Sequence, residues 1–476
     1  MKNLNRIYNT NLSLLTDLYQ ITMAYGYWKT GIHNRESVFH LFYRKNPFGN
    51  PYAIACGLEH AVEYLQNLHF SETDVAYIGT LKGSDGQPLF NKDFLNFLLD
   101  FRFTCDVDAI TEGSVVFPHE PLVRVKGPLW QANLVETTLL NIINFSTLIA
   151  TKASRVAKAA EGDTILEFGL RRAQGIDGGL TASRAAYIGG CHATSNVAAG
   201  RLYDIPVKGT HAHSWVMSWD DEMTAFEQMA EVMPNNLTLL VDTFDTIEGI
   251  EKAIKVAQKM AKKGQSLQSI RLDSGDLAAL SIEARKMLDA AGFRDVKIVA
   301  SNDLDEYEIV KLKKAGAKID IWGVGTKLVT AYDQPALGGV YKLAALKNEA
   351  GEWDYKMKFS EEAIKISNPG ILQVRRVKNA QNTEGPFVED ILYSETEFNA
   401  LPEGEDLLKP VFRKGQLVMQ MLDIQSVRKH CIENRKVFDE KETKDYRVSL
   451  DKKLILRKEK FIAQNKHQVQ HLTHID

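Results

Sequence analysis

Residues 237–276 read LTLLVDTFDTIEGIEKAIKVAQKMAKKGQSLQSIRLDSGD, and the fold turns on how they are parsed. The stretch opens on a short apolar run, LTLLVD (237–242), and closes on another, SIRLD (269–273). Between them Ile247, Ile250, Ile254, Ala257 and Ala261 recur at helical spacing and make one apolar stripe. Asp245 followed by Glu248 gives that helix a capping-box start. A strand, a crossover helix and a second strand imply parallel neighbours in one sheet.

The same unit repeats on both sides. Further apolar runs are TILEFGL (164–170), AAYIGG (185–190), IPVKG (205–209), VKIVAS (296–301) and IDIWGVG (319–325). One helix starts near Leu277 and stops at Ala291–Gly292, where glycine accepts a left-handed turn; the next runs from Asp303 to Gly316. Seven strands alternating with helices fit an α/β fold, as an open doubly wound sheet or as a barrel. The run ends favour the barrel. They gather Arg171 and Arg172, Thr210 and His213, Asp242 and Thr243, Asp273 and Asp276, Ser301 to Asp303, and Gly325 with Thr326. A ring of such loops on one face is how barrel enzymes build a site. The expectation is an irregular seven-stranded α/β barrel over residues 129–345. An N-terminal α+β domain (1–128) precedes it and a C-terminal region (346–476) follows, packed on it as an extension.

Composition narrows the class. The 476 residues are 44% apolar and 25% charged, with a formal net charge of −3, which argues against a general nucleic-acid binder. No apolar run is long enough to span a bilayer, and the opening MKNLNRIYNTNLSLL lacks the apolar core of a secretory signal. Cys56, Cys105, Cys191 and Cys431 are scattered, which reads as reduced thiols in a cytoplasmic protein. His467, His471 and His474 have helical metal spacing, but a solvated tail accounts for them better.

Four segments carry chemistry. In IDIWGVGTKLVT (319–330), Gly323 and Gly325 would let backbone N–H groups close on a phosphate beside the Thr326 hydroxyl; a plain tight turn is the other reading. In EFGLRRAQGIDGG (167–179), Arg171 and Arg172 offer planar forks for carboxylate or phosphate, unless one of them pairs with Glu167. In RLDSGD (271–276), Asp273 suits a sugar hydroxyl or a hydrated metal, while Asp276 reads as a helix cap. In GTHAHSW (209–215), His213 keeps company with Thr210 and Ser214, as a proton carrier or nucleophile would. No GxSxG elbow supports a serine hydrolase.

These segments, with LLTDLYQITMAYGYW (14–28) and VFHLFYRKNPFGNPYAIACGLEHAVEYL (38–65), resemble nicotinate phosphoribosyltransferases. The resemblance runs in order from about residue 12 to 345, far beyond any single motif. It implies transfer of a phosphoribosyl group from 5-phosphoribosyl 1-pyrophosphate to nicotinate, with Mg²⁺, in salvage of nicotinate toward NAD. It also implies coupled ATP hydrolysis through a phosphohistidine, which formally makes the enzyme a ligase.

The residue matching the phosphoryl acceptor is His213, with His211 a bystander. Tyr19 matches the tyrosine that stacks on the pyridine ring, reaching in from the partner of a homodimer, and Phe168 is the opposite face. Arg271 matches the family's substrate-binding arginine and suits the nicotinate carboxylate, with Thr210 alongside. Arg171 and Arg172 serve carboxylate or phosphates. Gly323, Gly325 and Thr326 hold the 5-phosphate, and Asp273 a ribose hydroxyl.

The nearest rival is a nicotinamide-using relative, whose pocket would want a carboxylate to accept from the amide; GTHAHS has none. A quinolinate enzyme would need a denser cationic cluster. A non-catalytic barrel scaffold remains the alternative from another class.

Overall fold

The computed structural model describes residues 12–358, 366–379, 387–439 and 446–464. The three C-terminal histidines at 467, 471 and 474 lie outside the described residues. The chain divides into two compact units, Met1–Leu148 with Ala336–Asp476, and Ile149–Pro335.

The first unit is built on a seven-stranded antiparallel sheet. Its order is Trp353–Tyr355, Gly339–Lys347, Glu36–Tyr43, Val123–Pro128, Asp106–Ile110, Leu408–Arg413 and Gln416–Leu417. Residues before 129 and after 345 therefore share one sheet. Every residue of the central Glu36–Tyr43 strand but the first is buried, which explains its near-continuous apolar run. The unit also holds a four-stranded sheet, Gly404–Asp406, Leu372–Lys378, Phe387–Ser394 and Arg447–Leu450, and a two-stranded pair, Ala53–Ile54 with Val115–Val116. Segment 129–160 forms two helices, Leu129–Leu134 and Glu136–Ala160, and the second carries the chain into the next unit.

The second unit holds a six-stranded parallel sheet. The strands lie in the order Ala193–Thr194, Thr164–Glu167, Ile321–Val324, Lys297–Ala300, Ser269–Leu272 and Thr238–Leu240. Val207 adds a single parallel bridge to Thr194. That order is chain order wound into a ring, starting at Thr238 and ending at Val207. The ring does not close. Among the described residues no strand pairing joins Val207 to Thr238–Leu240, so the expected irregular seven-stranded barrel is corrected to a six-stranded parallel sheet that does not close.

Two of the seven expected strands fail for different reasons. AAYIGG lies in the helix Ile176–Gly189 and is buried throughout, so a short apolar run there imitates a strand. IPVKG contributes only the Val207 bridge to Thr194 and, among the described residues, makes no pairing on the Thr238 side.

The helices follow their caps. Asp245 accepts from Glu248 N at 2.9 Å and starts the helix Thr246–Lys262. Its buried face is Gly249, Ile250, Ala253, Val256, Ala257 and Met260, which leaves Ile247 and Ala261 of the expected stripe exposed. Gly249 sets that rotation: a Cβ there would stand 2.1 Å from the Val241 carbonyl oxygen, so helix and strand approach through the missing side chain. The helix Leu277–Ala290 ends at Ala291 with Gly292 at φ +86°, as read from the sequence. None of the four cysteines is in a disulfide, and all four are buried. Among the described residues no helix is long and apolar enough to cross a membrane.

Candidate active site

Parallel strands present their carboxyl ends on one side, and the second unit gathers its polar residues there. Arg271, at the end of Ser269–Leu272, is the hub. Its Nε donates to Ser301 Oγ at 2.8 Å, Nη1 to Thr210 Oγ1 at 2.9 Å and Nη2 to Asp273 Oδ1 at 2.8 Å. The guanidinium carbon lies 5.6 Å from the centroid of the Phe168 ring, within cation–π range. Arginine carries five N–H donors, and these three bonds leave two uncommitted.

Asp273 links that hub to His213. Its Oδ2 lies 3.6 Å from His213 Nε2, and its Oδ1 also accepts from the Ser301 hydroxyl. Burial would raise the Asp273 pKa, but the Ser301 hydrogen bond and the charges of Arg271 and His213 hold it below the usual carboxylate range. His213 Nδ1 lies 3.1 Å from Thr243 Oγ1. Asp242 supports the same loop from beneath, its Oδ2 accepting from Asp273 N at 2.8 Å and from Ser274 Oγ at 2.6 Å. Asp276 caps the next helix through Ala278 N and Ala279 N, the role its position implied.

His211 is not idle. Its Nε2 accepts from Leu240 N at 3.1 Å, while Nδ1 faces the Ala212 carbonyl at 3.3 Å. Burial lowers its pKa, with Arg271 and His213 pushing the same way, which keeps the ring neutral.

Glu167 is not an arginine partner. It is buried and accepts from Gly169 N, from Ser183 Oγ at 2.8 Å and from Thr194 Oγ1 at 2.6 Å. Arg171 and Arg172 sit exposed on the short turn Leu170–Arg172, free of ion pairs to other described residues.

Gly323 has a packing reason. A Cβ there would stand 2.8 Å from Phe168 Cδ2 and 2.9 Å from Cε2, so the ring occupies the space. Gly325 precedes the helical turn Thr326–Val329, and Lys327 beside it is tied to Asp305 at 2.7 Å. Asn302 and Asp303, at the next strand end, both take positive φ without being glycine, at 96° and 42°. Tyr19 belongs to the first unit, 45% exposed on the helix Leu18–Lys29.

The structure thus brings Phe168, Thr210, His213, Arg271 and Asp273 together. The sequence reading placed Asp242, Thr243 and Ser301 at strand ends without giving them roles. Only that position could have marked them, since each acts through a partner distant in the chain.

The profile of the nicotinate phosphoribosyltransferase N-terminal domain matches residues 14–144, and that of the nicotinate phosphoribosyltransferase family matches residues 164–367. The chain belongs to the nicotinate phosphoribosyltransferase family. It is 44% identical over 445 residues to the nicotinate phosphoribosyltransferase of Bacillus subtilis strain 168, covering 89% of each chain. Among solved structures it superposes on human nicotinic acid phosphoribosyltransferase with a TM-score of 0.81 at 29% identity. That match covers 94% of this chain and 99% of the other. A nicotinate-nucleotide pyrophosphorylase from Pyrococcus furiosus shares the fold, with a TM-score of 0.70 at 22% identity, covering 93% and 98%. In this family member the open parallel ring, rather than a closed barrel, carries the polar cluster.

Proposed function

We propose that the protein transfers the phosphoribosyl group of 5-phosphoribosyl 1-pyrophosphate to nicotinate, giving nicotinate mononucleotide and pyrophosphate. The observation that carries this reading is Arg271. It is held rigidly by Ser301, Thr210 and Asp273, lies against Phe168, and keeps two donors for a carboxylate. The pyridine nitrogen attacks C1 of the ribose as the C1–O bond breaks, and pyrophosphate leaves with the electron pair. The transition state is cationic at C1, so positioning and fixed charge do the catalytic work, and the Asp273 carboxylate supplies the negative end.

Asp273 also suits a ribose hydroxyl. The uncommitted Arg171 and Arg172 suit the phosphates, or a share of the nicotinate carboxylate. For the 5-phosphate the case rests on Gly325 and the Thr326 hydroxyl, because the Phe168 ring already accounts for Gly323.

Mg²⁺ fits as an ion shared between substrate phosphates and one or two carboxylates. Asp242 Oδ1 is buried without a hydrogen-bond partner, and no group of three metal-ligating side chains occurs among the described residues. Bound with the diphosphate, the ion would offset charge developing on the leaving group.

ATP enters through His213. An imidazole nitrogen takes the γ-phosphoryl group as the bond to ADP breaks, and water later releases phosphate. Negative charge on His213 would order its loop and tighten substrate binding; with nicotinate as the acceptor, the reaction would belong to salvage of nicotinate toward NAD. A homodimer completes the site with the partner's Tyr19. Leu15, Leu18, Tyr19 and Met23, all exposed on the N-terminal segment, support such an interface.

The test uses purified protein with nicotinate, nicotinamide or quinolinate, each with 5-phosphoribosyl 1-pyrophosphate and Mg²⁺, with and without ATP. Mononucleotide from nicotinate alone, stimulated by ATP in wild type and not in His213→Ala, is the expected result. Turnover of nicotinamide would transfer the protein to the amide-using class. No product from any base would leave a non-catalytic scaffold.

A further inference from the structure

The parallel ring has one seam, and a histidine lies across it. Thr238–Leu240 is an end strand of the sheet, and Val207 begins the other end. No strand pairing crosses between them among the described residues, so the Leu240 N–H has no neighbouring strand on that side. The acceptor it finds instead is His211 Nε2, at 3.1 Å, four residues beyond Val207. A ring nitrogen that accepts carries no proton, so the tautomer is fixed with hydrogen on Nδ1, toward the Ala212 carbonyl.

The same strand end receives a second contact. Thr243, three residues past Leu240, faces His213 Nδ1 at 3.1 Å. The GTHAHS loop is therefore pinned at two points, by His211 to the strand itself and by His213 to the loop that follows it. Thr210, just before His211, is in turn bonded to Arg271 at 2.9 Å.

We propose that His211 is a positioning residue that closes the seam of the ring in place of a strand and so holds His213 for phosphoryl transfer. Its imidazole substitutes for the carbonyl a closed barrel would supply. Burial, with the Arg271 charge acting the same way, outweighs the Ala212 carbonyl contact, disfavours protonation of His211 and so preserves the acceptor nitrogen.

The proposal rests in part on the phosphohistidine reading of His213, and two measurements on the full chain separate them. The first is incorporation of label from γ-labelled ATP, mapped to His213, in wild type, His211→Ala and His211→Gln. His211→Ala lowers the rate by about tenfold or more, as a misplaced reacting group does. His211→Gln, whose amide oxygen can accept from Leu240 N–H, recovers most of it. Equal labelling in wild type and His211→Ala overturns the positioning role, as does a folded His211→Gln that fails like the alanine variant.

The second is amide hydrogen exchange at Leu240, which needs no activity. His211→Ala speeds exchange there and His211→Gln restores protection. If wild type takes no label at His213, the phosphohistidine reading fails, and Leu240 exchange alone decides the seam: unchanged protection in His211→Ala overturns it.

Discussion

Asp273 Oδ2 lies 3.6 Å from His213 Nε2, while the other oxygen of the same carboxylate accepts from Arg271. One acidic group thus sits between the residue assigned to the base and the residue assigned to the phosphoryl group. The hydrogen bond from Ser301 and the neighbouring Arg271 guanidinium outweigh burial and hold its pKa below the usual carboxylate range. Because its pKa is depressed on folding, its share of stability is complete above about pH 4 and fades only as pH falls through the lower folded value.

Removing that charge while keeping the shape should therefore affect chemistry more than folding. Asp273→Asn is expected to lose about 10²–10³-fold in kcat, the cost of one fixed electrostatic group at a reacting centre. Thermal unfolding at neutral pH should shift little by comparison. A variant with wild-type kcat would show that the carboxylate only braces Arg271.

Arg271→Lys keeps a positive charge but not the planar fork. A single ammonium cannot replace the bonds to Ser301, Thr210 and Asp273 and still present paired donors. The expected loss in kcat/KM for nicotinate is about 10²-fold, with a smaller change in KM for 5-phosphoribosyl 1-pyrophosphate. Steady-state kinetics with each substrate varied separates the two, and equal rises in both KM values would contradict the assignment.

Gly323→Ala forces the Phe168 ring to move, since the added carbon would sit 2.8 Å from its edge. Overpacking of this kind costs about 1–3 kcal/mol, measurable by urea unfolding. Adding Phe168→Leu should return part of that stability and none of the nicotinate affinity. If the double variant binds nicotinate normally, the ring has no part in the base pocket.

His40 gives the first unit an acid-sensitive point. It is fully buried and its Nε2 accepts from Leu372 N at 3.2 Å; burial, then the charge of Arg124, lowers its pKa from 6.5 to about 3. The unfolded chain binds a proton there that the folded chain refuses, so stability falls as pH drops from 6.5 toward 3. The slope from this one group is about 1.4 kcal/mol per pH unit. His40→Gln should flatten the dependence in that window, read from unfolding free energies at pH 6.5, 5.5 and 4.5.

Much of the second unit was legible in sequence because its signals are local. Asp245, Asp276 and Gly292 announce helix ends within a few residues, and the structure uses each that way. The misreadings have non-local causes. AAYIGG looks like a strand because a helix buried on all sides shows no polar face, while the true strand nearby, Ala193–Thr194, is two residues long. The stripe of Thr246–Lys262 was assigned by its isoleucines, but Gly249 against Val241 turns the helix so that Ala253 and Met260 face inward. In the site, Arg271, Asp273 and His213 stood out by type and company. The seam role of His211 could not be seen, because it depends on a strand pairing that does not form.

The sheet that joins both ends of the chain also sets an order of events. Strand Asp106–Ile110 pairs with Leu408–Arg413, so Ile110 waits for Leu408 before its edge is covered. At about 5–20 residues per second a ribosome needs roughly 15–60 s to cross that interval. Ile149–Pro335 emerges whole in the meantime with all six of its parallel strands. During synthesis, the part that carries the candidate site can be complete while the first unit is still half a sheet.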